Sequence, residues 1–120
     1  MMKTSMHAAE VMRHECVSRF PNFQKEIDDN LRKWKTVEAN TLRKTEIHWA
    51  AMVRKKPDLS DTLAYAEVAV KRNLETVSGM PGQASAQVVS QYCRQHFANL
   101  ASGIWRARTP RAYQYMDRLP

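Results

Sequence analysis

Proline and glycine punctuate this chain instead of interrupting it. Of its 120 residues only Gly79, Gly82 and Gly103 are glycine, and Pro21, Pro57, Pro81 and Pro110 fall between runs in which apolar residues recur every three or four positions. Proline within a helix removes a hydrogen bond and clashes with the preceding turn, so it is tolerated mainly at helix ends. A period near 3.6 between such stops predicts amphipathic helices, and no stretch offers a strand signal of similar quality. The expected fold is all-α: a single helical domain over residues 1–120, a bundle of about five helices.

The first helix is expected from Thr4 or Ser5 to Arg19 or Phe20, with Met6, Ala9, Met12, Cys16 and Phe20 on one face and Pro21 as its stop. Asn22 is the next capping residue. From Phe23, the positions Ile27, Leu31, Trp34, Leu42, Trp49 and Val53 keep helical spacing almost to Lys56. The stripe weakens at residues 38–41, so the 22–56 region reads as one long helix or two collinear ones, with Asn40 able to cap the second. Ser60 is expected to cap a helix from Asp61 to Val77, ended by Ser78-Gly79. A longer helix should span about Ser85 to Arg108. Thr109-Pro110 then predicts a short final helix, Arg111 to Leu119, with 109–120 as a C-terminal helix or tail.

Charge is distributed unevenly along this scaffold. Residues 1–75 hold 14 basic and 11 acidic side chains, whereas residues 76–120 hold five arginines, no lysine and a single acid, Asp117. The net charge of +7 permits nucleic acid or an acidic protein face as partners and selects neither. No apolar run approaches a membrane span, and the charged first residues do not read as a secretory leader. Two cysteines 77 positions apart, Cys16 and Cys93, are then expected to be reduced, buried thiols in a cytoplasmic protein.

Catalytic patterns are weak. Cys93 and His96 stand at i,i+3 on one helix, a spacing that suits two ligands of one metal, and His7, Glu10 and His14 lie on another. A structural site wants four ligands in tight pairs, and only one pair is well spaced, so no metal and no cofactor is expected. No glycine-rich phosphate loop, HExxH or G-x-S-x-G occurs in the sequence. The turn from Ser78 to Ala84 is too long for a helix-turn-helix, and the helix after it carries no base before Arg94. The chain is therefore expected not to be an enzyme.

The strongest binding signal is the C-terminal run from Trp105 to Arg118. Guanidinium and aromatic groups both hydrogen-bond and stack, and both are enriched where partners dock. Trp105, Arg106, Arg108, Arg111, Tyr113, Tyr115 and Arg118 are the expected partner-binding residues, with no carboxylate near in sequence except Asp117. The alternative is that Trp105, Tyr113 and Met116 fold back on the core. Seven methionines add adaptable apolar surface, and an exposed stripe on the first helix would suit a second copy of the chain. The function expected is regulation by docking on another protein with an acidic and apolar face, as inhibitor, antiactivator or adaptor, and as a homodimer. The alternative is a nucleic-acid-binding accessory protein that sets the same arginines on phosphates.

Overall fold

The computed structural model describes residues 2–79 and 82–120. Seven α-helices account for nearly all of them: α1 (Met2–Arg19), α2 (Gln24–Val37), α3 (Ala39–Lys55), α4 (Asp61–Val77), α5 (Gly82–Ser102), α6 (Ile104–Arg108) and α7 (Pro110–Asp117). Single 3-10 turns, Pro21–Phe23 and Pro57–Ser60, carry the chain past two of its prolines. No strand occurs among the described residues. The all-α expectation holds, with seven helices in place of about five.

Both extra helices come from local breaks. At Glu38 the backbone relaxes to φ −99° and ψ 18°, which divides the 22–56 region into α2 and α3. The hydrogen-bond ladder still runs through the break, with Glu38 N on Trp34 O and Leu42 N on Glu38 O, each at 2.9 Å. Asn40 does not cap α3; its side-chain oxygen accepts from Arg43 at 2.9 Å. The second break is Gly103 at φ +80°, a left-handed conformation in which glycine avoids the Cβ clash. It cuts the expected 85–108 helix into α5 and α6.

Ser60 and Thr109 occupy the expected N-cap positions, yet neither hydroxyl caps. Each turns back to a carbonyl, Ser60 to Pro57 O at 2.9 Å and Thr109 to Trp105 O at 2.7 Å. These bonds compete with capping for the same side chain. The first helix begins at Met2, ahead of Thr4 and Ser5.

The two main pairings are α1 against α4 and α2 against α5, with α3 lying against α7 and α1. The core draws Met2, Ala9, Met12 and Cys16 from α1, Ile27, Leu31 and Trp34 from α2, and Val89, Cys93, Phe97 and Leu100 from α5. Phe97, Ile27 and Leu74 are the largest apolar side chains fully removed from water, and each stabilises the fold by about 1.5–3 kcal/mol. Two buried threonines on α3 are satisfied: Thr45 donates to Thr41 O at 2.8 Å, and Thr41 donates to the Asp117 carboxylate. The α1 stripe thus packs inside its own chain, with Met2 and Met12 buried and Met6 packed against the core. Among the described residues of α1, the methionines face this core. Met80, the one methionine expected at the α4–α5 turn, and Pro81 beside it lie outside the described residues.

Cys16 and Cys93 are joined as a disulfide with Cα atoms 5.9 Å apart, linking α1 to α5. The expectation of two free thiols is corrected: both cysteines do lie on inward faces, but the packing sets those faces against each other. Disulfides persist mainly in oxidising compartments, so the bridge weighs against the reducing cytoplasm expected from the sequence. No helix among the described residues is long and apolar enough to cross a membrane.

Candidate docking surface

The seven C-terminal residues expected to bind a partner divide into two sets. Trp105, Arg106 and Tyr113 turn inward. Arg108, Arg111, Tyr115 and Arg118 are exposed.

Arg106 is the centre of the inward set. Its Nε donates to Glu38 Oε1 at 3.0 Å and its Nη1 to Asp117 Oδ2 at 3.0 Å, while Nη2 reaches Thr41 Oγ1 at 3.1 Å. The guanidinium also lies 4.5 Å from the centre of the Tyr113 ring. Glu38 is 5% exposed, so its charge is compensated almost entirely by this one arginine. The hydrogen bond that Arg106 donates to Glu38, more than the one it donates to Asp117, raises its pKa above the ordinary value, against the opposing effect of burial. Asp117 is held below the usual carboxylate range by its bond from Thr41 and then by Arg106. The arginine read as uncompensated is therefore paired within the fold, through a carboxylate 68 residues away.

Tyr113 is 3% exposed and accepts a hydrogen bond at 3.2 Å from Trp34 Nε1. Burial is the main cause of its raised pKa. Trp105 is half-buried and packs against the core. These two rings consolidate the end of the bundle, which is the fold-back arrangement weighed above.

The outward set lies on one exposed side of the bundle's end. Arg111, Tyr115 and Arg118 stand at i, i+4 and i+7 and so share one side of α7. Arg108, Arg111 and Arg118 form no ion pair with a carboxylate among the described residues. Contact with α3 extends this side. Lys44 Nζ donates to Asp117 O at 2.6 Å, at the end of α7, and the His48 ring meets the Tyr115 ring edge-on with centroids 6.5 Å apart. Ile47, the neighbour of His48, is 56% exposed, as is Tyr115.

Lys44, Ile47 and His48 were not among the expected site residues. For Ile47 and His48 a signal exists, since Ile47-His48-Trp49 reads as a basic-aromatic segment, whereas Lys44 has none. Trp49 is buried, Ile47 is exposed, and His48 is half-buried beside Tyr115. Their adjacency to α7 has no trace in local sequence.

Several other basic side chains are paired with carboxylates, whereas among the described residues Lys33, Arg54, Lys55, Lys56, Lys71 and Arg72 form no such pair. Arg13 makes a two-pronged pair with Asp28 at 2.9 and 3.1 Å, and Arg94 does the same with Glu26 at 2.7 and 2.9 Å. Lys3 pairs with Glu46, Lys35 with Glu10, and both Lys25 and Arg32 with Asp29. Among the described residues no cluster of three or more histidine, cysteine, aspartate or glutamate side chains is arranged to hold a metal ion. The disulfide takes Cys93 out of its pairing with His96. Comparison with protein families, with curated proteins and with solved structures returns no significant match.

Proposed function

We propose that this chain is a non-enzymatic regulatory protein that docks, through the outer face of α3 and α7, on a protein whose matching face is acidic and apolar. One observation carries the reading: Arg108, Arg111 and Arg118 have no carboxylate partner among the described residues, and the last two flank an exposed tyrosine. Unpaired guanidinium groups beside an accessible ring are what a partner's carboxylates and apolar rim complement best. Trp105, Arg106 and Tyr113 support this face from beneath and are not contacts in it. Inhibition, antiactivation or adaptor action would all follow from occupying a regulator or enzyme in this way, and no cofactor enters. Self-association remains part of the proposal, but through α4, where Tyr65 is 75% and Val68 52% exposed, and not through the filled methionine stripe of α1.

Affinity capture from the native lysate, with and without nuclease, tests the reading. A co-purifying protein should survive nuclease and be lost with the triple variant Arg111→Ala, Tyr115→Ala, Arg118→Ala. Binding should weaken by about a thousandfold if two anchors of ordinary hot-spot strength are removed. Capture unchanged by the triple variant would sink the assignment of this face. Material lost with nuclease, together with affinity for duplex that falls log-linearly with salt, would favour the nucleic-acid alternative instead.

A further inference from the structure

A second feature is independent of the arginines. Between α1, α5, α6 and α7 lies a cavity of about 310 Å³, walled in part by Ala8, Trp34, His96, Leu100, Trp105 and Tyr113. Its size is at the lower end of the range for small-molecule sites. None of the described residues lining it is an acid, a lysine or an arginine. The one titratable base, His96, is neutral at physiological pH because burial lowers its pKa to about 4.

Two polar atoms of this wall, His96 Nε2 and Trp105 Nε1, are buried without a hydrogen-bond partner among the described residues. Buried polar atoms are nearly always paired, so two on adjoining side chains call for a physical account. The other indole of the cavity is already satisfied, because Trp34 Nε1 donates to the Tyr113 hydroxyl. That hydroxyl retains its own proton to donate.

We infer that the cavity binds an uncharged, flat, mainly apolar small molecule carrying a hydrogen-bond acceptor, which takes its bond from Trp105 Nε1. The acceptor follows from the indole, which can only donate. The absence of charge follows from the wall, which offers no counter-charge to an ion removed from water. A turn of the Trp105 ring would bring its buried N–H to the cavity. Trp105 is carried on the five-residue α6, entered through left-handed Gly103 and left at Thr109-Pro110. With His96 it also lines a neighbouring groove of about 520 Å³ along α1 and α4, so there is space on the far side of the ring.

Titration of the full chain with prodan, an uncharged naphthyl ketone whose emission reports the polarity around its carbonyl, tests the inference. Saturable, blue-shifted emission is expected. Trp105→Phe keeps most of the ring and removes the donor, and should weaken binding about tenfold, the worth of one hydrogen bond. Ala8→Leu, or Ala112→Leu from the opposite wall, should block the site while circular dichroism reports the fold. Arg111→Ala with Arg118→Ala should leave prodan binding unchanged, which separates this site from the docking face. Absence of saturable binding by the folded protein would overturn the inference, as would wild-type affinity in Trp105→Phe and in whichever cavity-filling variant folds. Tighter binding of naphthalene-2-sulfonate than of prodan would overturn its claim about charge.

Discussion

Arg106 and His96 show two ways in which a basic side chain meets the interior of this bundle. Arg106 keeps its charge by gathering Glu38, Asp117 and Thr41 around it. His96 packs edge-on against Phe97, lies beside Trp105, and gives its charge up. Burial stabilises the neutral imidazole and lowers its pKa from 6.5 to about 4. Between those values the unfolded chain holds a proton that the folded chain does not, so stability rises with pH across this window and falls as pH drops through it. The protein should be roughly 2 kcal/mol less stable at pH 5 than at pH 7. Urea unfolding at the two pH values measures this, and His96→Phe should remove most of the difference. The carboxylates of Glu26, Asp28 and Asp117 act in a separate range. Their lowered pKa values add stability that is complete above the usual carboxylate range and is lost only as pH falls below it. A wild-type stability that is flat from pH 7 to 5 would show that the imidazole titrates normally and is not held in the interior.

At the scale of elements, the helices were largely legible because most of the apolar stripes are bounded by a proline or a glycine. The breaks were less so, for two physical reasons. Glu38 interrupts the stripe visibly, but what buries it is Arg106, and no local pattern encodes a pairing across 68 residues. Gly103 lies between Leu100 and Ile104, whose i,i+4 spacing carries the apolar face straight across it and conceals the left-handed turn. The same long-range pairing explains why the C-terminal site was half legible: Arg111, Tyr115 and Arg118 share a side by helical spacing alone, whereas α3 and α7 meet only in the folded chain. Gly103 allows a test of the break itself. A Cβ built there meets nothing within 4 Å, so any cost of Gly103→Ala comes from the backbone at φ +80° and not from crowding. That cost should be about 1–2 kcal/mol. Chemical denaturation would register it as a lower midpoint with an unchanged slope. No loss of stability would mean that α5 and α6 can run on as one helix.

Across the whole molecule, the Cys16–Cys93 bridge joins the two main pairings, because α1 carries α4 and α5 carries α2. Periodicity placed both cysteines on inward faces without showing that the faces meet. Sequence separation determines what the bridge does for stability. It closes a loop of 77 residues, and restricting so long a loop in the unfolded chain is worth about 4.5 kcal/mol in the chain-entropy account. Stability of this order is a large part of the total for a domain this size. Under a strong reductant the unfolding midpoint should therefore fall substantially, and the slope should rise, because the released unfolded chain is less compact and exposes more surface. Cys16→Ala with Cys93→Ala should reproduce the reduced protein's midpoint to within the small cost of the lost sulfur packing, and should no longer respond to reductant. Thiol labelling of the unfolded, non-reduced wild type should find no free cysteine. Two labelled thiols and a midpoint indifferent to reductant would refute the bridge, and would return the pair to the reduced state expected from sequence.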